Sequence, residues 1–111
     1  MSNNYKTYVF DLDNTLCKTV KKENGDWDYL NSVPHEERIA KVNQLFEEGN
    51  TIYVETARGS SSRRNWYNET HQQLISWGVK FHQLRVGVKL AADYYIDDKG
   101  INDRDFFNGE F

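Results

Sequence analysis

The run Tyr5-Lys6-Thr7-Tyr8-Val9-Phe10-Asp11-Leu12-Asp13-Asn14-Thr15 decides how this 111-residue chain is read. Its first half is aromatic and β-branched, which predicts a strand from Tyr5 to Phe10 that ends at Asp11. Two carboxylates, Asp11 and Asp13, follow two residues apart. Acids just past a buried strand are costly unless something offsets their charge. Taken alone, an Asp-x-Asp run describes a solvated loop or a helix cap as readily as a site. What decides between these is where the rest of the chain brings its other acids.

Residues 17 to 33 lack helical periodicity and carry Asn24-Gly25, a strong turn dipeptide, so they read as a short hairpin or flap. Pro34 is placed where a first helical turn accepts proline, with Glu36 and Glu37 behind it at the positive end of the helix dipole. Ile39, Val42, Leu45 and Phe46 share one helical face, and Gly49 is the expected stop. Thr51 to Val54 predicts a second strand ending near Thr56. Ser60 to Ser62 offer N-caps for a second helix, with Trp66, Thr70, Leu74 and Trp77 on one stripe and Gly78 at its end. A third strand is expected around Val79 to Leu84, one helical turn over Lys89 to Ala92, and a last strand over Tyr94 to Ile96. The tail Asp105-Phe106-Phe107 is expected to pack its aromatics back on the domain or on a partner.

Strands alternating with helices predict an α/β fold with a parallel sheet. Right-handed crossovers then align the strand C-terminal ends along one edge, where ligands of such sheets bind. Asp11, Thr56 and Asp97-Asp98 fall at three of those ends. Four carboxylates in one crevice repel one another, so a bound cation is the natural reading. Magnesium fits, since it takes hard oxygens from one or two carboxylates together with phosphate and water.

Phe10-Asp11-Leu12-Asp13-Asn14-Thr15-Leu16 resembles the first motif of the haloacid dehalogenase-like superfamily of phosphohydrolases. Val54-Glu55-Thr56-Ala57-Arg58-Gly59 resembles its second motif, Lys89 the lysine of its third, and Tyr94-Tyr95-Ile96-Asp97-Asp98 its acidic fourth. The four stand in the family's order over most of the chain. Two positions depart from the pattern: Lys89-Leu90, where relatives often show Lys-Pro, and Glu55, where an apolar residue is common. Lys80 and Lys99 are therefore rivals for the lysine role.

The resemblance implies a three-layer Rossmann-like sandwich, one domain over 1–111 with a flap at 17–33 and no large cap domain. It implies Asp11 as nucleophile, through an aspartyl-phosphate, and Asp13 as acid and then base. It implies Mg2+ held by Asp11, the main-chain carbonyl of Asp13, Asp97 and Asp98. The phosphoryl group would be held by Thr56 and Lys89, with Ala57, Arg58 and Asn14 beside them. An aspartate at position 13 favours phosphatase chemistry, because an alcohol leaving group needs an acid and water needs a base. The resemblance extends to small capless members linked to capsular-polysaccharide synthesis. It thus points to a small phosphorylated metabolite, a sugar or polyol phosphate, in a crevice covered by the substrate or by a second copy in a homo-oligomer. A phosphatase of nucleic-acid ends or phosphoproteins and a non-catalytic phosphate-binding module are the alternatives.

Fourteen Lys and Arg against seventeen Asp and Glu give a formal charge of −3, which weighs against a protein built to coat nucleic acid. One cysteine, Cys17, permits no internal disulfide, and no apolar run reaches membrane-spanning length, so a cytoplasmic protein is expected. Arg58 has two roles open to it, substrate contact or pairing with a nearby acid such as Glu55. Arg63 and Arg64 read as helix-surface charge, with substrate binding as the second option. His35, His71 and His82 have no metal-ligand spacing. Trp66 and Trp77 are read as core anchors, and Trp27 and Tyr29 as candidates for substrate contact.

Overall fold

A computed structural model describes residues 4–59, 64–87, 94–97 and 101–108. The elements run β1 (Thr7–Asp11), β2 (Cys17–Lys21), β3 (Trp27–Pro34), α1 (Glu36–Glu47), β4 (Thr51–Thr56), α2 (Tyr67–Ser76), β5 (Gln83–Val86), β6 (Tyr94–Asp97), β7 (Ile101–Asn102) and α3 (Asp103–Phe107). The fold is mixed α/β. Five strands form one sheet in the order β5-β4-β1-β6-β7, and every neighbouring pair is parallel. β2 and β3 form a separate antiparallel hairpin.

β1 is the central strand because it can be buried on both faces. Tyr8, Val9 and Phe10 alternate across the pleat and are all buried. Around Phe10, aromatics close the core. Phe10 lies 5.9 Å from Phe106 and 6.0 Å from Phe107, and Tyr8 stacks on Tyr94 at 5.4 Å between ring centroids. The tail therefore returns to the domain through α3, as its Phe-Phe pair predicts. Its added strand β7 was not foreseen.

Both longer helices end in the same way. Gly49 (φ 100°) and Gly78 (φ 72°) take the left-handed conformation after the last turn. Gly49 N–H donates to Phe46 and Asn50 N–H to Leu45, while Gly78 N–H donates to Ile75 and Val79 N–H to Leu74. Ile39, Val42 and Leu45 are the buried face of α1, and Thr70 and Leu74 that of α2, with Phe46 and Trp77 packed against the core.

Several expectations need correction. Pro34 is the last residue of β3, in register with Cys17, and α1 starts at Glu36. A proline has no N–H to give a ladder, so a hairpin-end position costs it nothing. α2 begins at Tyr67, whose N–H is met by the Asn65 side chain at 2.9 Å, while Ser60 to Ser62 lie outside the described residues. The third strand starts at Gln83 instead of Val79. Residues 79 to 82 are engaged otherwise, with Lys80 N–H on the Asn43 side chain and His82 bridging the Ile52 main chain through both its N–H and Nδ1. The expected turn at Lys89 to Ala92 lies outside the described residues. No helix among the described residues is long and apolar enough to cross a membrane.

Candidate functional site

The strand order sets the location. β1 leads to β4 on one side of itself, while β6, on its other side, leads away to β7. The C-terminal ends of β1 and β6 thus flank a switch point, the place where open parallel sheets bind ligands. Phe10 pairs with Ile96, so Asp11 and Asp97 end adjacent strands at one level. Asp97 is placed here by its main chain, and Asp98 and Lys89 lie outside the described residues.

A cavity of about 660 Å³ opens at this edge. Asp11, Asp13 and Asn14 line it after β1, Ala57, Arg58 and Gly59 after β4, and Arg64 and Trp66 ahead of α2. The hairpin supplies Thr19, Lys22, Asp26, Trp27 and Tyr29. Residues from four separate stretches of sequence therefore share one space.

Asp13 is held by a dense set of hydrogen bonds. Its Oδ1 accepts from Thr19 Oγ1 at 2.6 Å and from Arg58 Nη2 at 2.8 Å, and its Oδ2 accepts from Thr56 Oγ1 at 2.9 Å. Arg58 Nε lies 3.2 Å and 3.1 Å from the two oxygens, giving a forked, charge-assisted contact. Of the two roles open to Arg58, pairing with an acid is the one seen, and the acid is Asp13. Arg58 is 1 % exposed. A charge buried this deeply is tolerated because every arm is met. Nη1 donates to Thr70 Oγ1 at 3.2 Å and to Gln73 Oε1 at 2.6 Å, and the carbon of the fork lies 4.7 Å from the Tyr29 ring centre.

The backbone around these residues is shaped to match. Asn14 sits at φ 62°, a conformation asparagine tolerates better than most residues, and its Oδ1 accepts from Thr19 N–H at 3.2 Å. Gly59 has φ 81°, and a Cβ there would lie 2.1 Å from the Arg64 carbonyl oxygen and 2.9 Å from the Trp66 ring. Only glycine lets the loop after β4 fold this closely on the segment leading into α2. Thr56 Oγ1 also accepts from Arg58 N–H at 3.2 Å.

Asn14 and Ala57 line the cavity, and Thr56 turns its hydroxyl to Asp13. Lys80 pairs with Glu47, before β4, at the other end of the strands from the cavity. Lys99 and Arg63 lie outside the described residues. Arg64 faces the cavity, pairs with Glu69 at 2.9 Å and stacks on Trp66 at 3.8 Å. Trp66 is a wall of the cavity instead of a core anchor, packed edge to face on Tyr29 at 5.1 Å. The loop that Gly59 permits carries it there.

Sequence reading missed Thr19 and Gln73. Thr19 repeats the Cys17 face of β2 at strand spacing, and Gln73 follows buried Thr70 by three on α2. Those are the faint local signals they leave. Burial pushes the Cys17 thiol up from its ordinary value; the thiol donates to the Leu12 carbonyl at 3.6 Å. Burial, and then the Asp13 charge, push the Tyr29 hydroxyl up as well.

Among the described residues no three His, Cys, Asp or Glu side chains are grouped as a metal site. The donor chemistry still suits magnesium. Asp11 brings a hard carboxylate to the cavity, whereas the Asp13 carboxylate is taken up by Arg58 and two hydroxyls, leaving its main-chain carbonyl as donor.

No protein-family model and no curated protein matches the chain. A solved structure of a structural-genomics target from Vibrio cholerae is similar to it, with a TM-score of 0.70 and 22% identity. The match covers 92% of this chain and 87% of that one, and it shows a shared fold.

Proposed function

We propose that the chain is a magnesium-dependent phosphomonoester hydrolase of the haloacid dehalogenase-like type, with Asp11 as its nucleophile. One observation carries this reading: Asp11 ends the central parallel strand at the switch point and opens on a cavity shared with Asp13. The layering that belongs to it is the three-layer Rossmann-like sandwich without a cap domain. Five parallel strands and a β1 buried on both faces support that layering.

In this mechanism a carboxylate oxygen of Asp11 bonds to phosphorus while the bond from phosphorus to the ester oxygen breaks. The ester oxygen takes a proton from Asp13 and leaves as the alcohol. Water then attacks phosphorus and gives its proton to Asp13, and the bond to Asp11 breaks to release phosphate. A labile acyl phosphate splits one hard step into two easier ones. Magnesium, when bound, supplies the positive charge that lets an anionic nucleophile approach an anionic substrate. The Asp11 carboxylate, the Asp13 carbonyl and Asp97 would hold it, with Asp98 beside them. Thr56, Lys89, Ala57 and Asn14 are assigned to the phosphoryl group.

Asp13 reaches the ester oxygen only when one of its own oxygens is released by its donors, Thr19, Thr56, Arg58 and, at 3.9 Å, the Cys17 thiol. Thr19 or Thr56 can yield more cheaply than buried Arg58, because a hydroxyl loses a neutral hydrogen bond and the guanidinium a charge-assisted one. The substrate we assign is a sugar or polyol phosphate. The cavity exceeds the needs of one phosphoryl group, and Asp26, Trp27 and Trp66 give the mixed polar and aromatic wall that a hydroxylated leaving group suits.

Phosphate release from a panel of sugar phosphates, phosphopeptides and oligonucleotide ends tests this directly. Turnover on the sugar phosphates is expected, lost when the metal is chelated and lost in Asp11→Asn. Full activity of Asp11→Asn would overturn the nucleophile. No turnover across the panel, with tight ligand binding, would favour a binding module.

A further inference from the structure

The acid of the proposed reaction is tied to the hairpin by a chain of contacts. Asp13 is forked to Arg58, Arg58 Nη1 donates to Gln73 Oε1 at 2.6 Å, and Gln73 Nε2 donates to the Tyr29 carbonyl at 2.7 Å. Gln73 stands on α2, so one amide joins the helix, the loop after β4 and the hairpin. Its two ends do different work. The oxygen holds the guanidinium and the nitrogen holds the hairpin.

The hairpin needs such a hold. Val20 pairs with Asp28 and Lys18 with Val33, so the ladder breaks where Thr19 faces the bulged run Tyr29 to Ser32. A bulge takes main-chain groups out of the ladder, and those groups need other partners. The Tyr29 carbonyl finds two, Ser32 Oγ at 2.7 Å and Gln73 Nε2. The Tyr29 ring meanwhile covers Arg58. Hairpin placement and Asp13 placement thus depend on the same side chain.

We propose that Gln73 is a positioning residue that fixes Arg58, and through it Asp13, while anchoring the hairpin that walls the leaving-group side. The proposal rests on the phosphatase reading and names a residue that the reading does not require. An acid matters most when the leaving alcohol is poor. In the step that expels the alcohol, loss of Asp13 placement therefore slows esters of alkyl alcohols and spares para-nitrophenyl phosphate, whose leaving group departs unprotonated, while the later attack of water slows alike for both.

The test compares kcat and KM of wild type, Gln73→Met and Gln73→Glu on a sugar phosphate and on para-nitrophenyl phosphate, with hydrogen exchange over residues 27–34. Gln73→Met should lose about tenfold or more in kcat/KM, which reports the alcohol-expelling step alone, on the sugar phosphate relative to the aryl ester, a fraction of what a general acid contributes. Gln73→Glu keeps an acceptor for Arg58 and should restore most of that ratio. It has no donor for the Tyr29 carbonyl, so exchange over 27–34 should quicken in both variants. Equal losses of kcat/KM on both esters in Gln73→Met, or unchanged exchange in both variants, would overturn the proposal. If Asp11→Asn abolishes turnover while the ester ratio stays fixed, the phosphatase reading stands and the role of Gln73 falls. Should wild type turn over neither ester, both fall together.

Discussion

Arg58 is the residue on which the site's geometry turns. Among the described residues it is the largest of the fully buried side chains, and it spends its charge on Asp13, Thr70 and Gln73. Buried ion pairs add little net stability over apolar packing, but removing one partner strands the other groups without donors. Arg58→Met should therefore destabilise the protein by about 3 kcal/mol, read as a lower midpoint in urea with an unchanged slope. A midpoint equal to wild type would mean that the guanidinium is not holding these groups in solution. Asp11 and Asp13 could be found from sequence because they follow a recognisable strand at close spacing. That Arg58 turns to Asp13, and Gln73 to Arg58, could not, because the three are distant in sequence and nothing local says which way a guanidinium or an amide will turn.

Among the elements, α1, α2 and β1 were legible because their chemistry is local. Glycines at 49 and 78 stop α1 and α2 through left-handed caps, whatever the rest of the chain does. Pro34 and Trp66 misled for the opposite reason. Pro34 is claimed by pairing across the hairpin with Cys17, and Trp66 is carried to the cavity by a loop that only Gly59 permits. α3 shows how much a five-residue element can matter. Phe106 is buried against Tyr8 and Phe10, and Phe107 carries the Arg38 guanidinium over its ring at 4.8 Å. Arg38 in turn donates to the Thr15 carbonyl at 3.0 Å, in the loop that follows Asp13. Truncating Phe106 to Ala should cost about 3 kcal/mol, the range for deleting a buried aromatic ring. Calorimetry would register this as a lowered Tm. A Tm within a degree or so of wild type would show that α3 is not part of the cooperative core.

At the scale of the whole molecule, the order β5-β4-β1-β6-β7 does what no single motif can. It gathers the ends of β1, β4 and β6 along one edge and leaves the hairpin to wall the cavity there. The acidic pair after β1 reads as a site because a parallel sheet puts another acidic strand end beside it, a consequence of topology that the alternation of strands and helices already implied. As nucleophile, Asp11 becomes covalently phosphorylated during turnover. The direct measurement is to quench the magnesium-loaded protein in acid during steady-state hydrolysis of a sugar phosphate and map phosphoryl groups by peptide mass spectrometry. A phosphoryl group on the peptide carrying Asp11, absent from Asp11→Asn, is the predicted result. Rapid turnover with no phosphoryl group on that peptide, or with full activity retained in Asp11→Asn, would contradict the account.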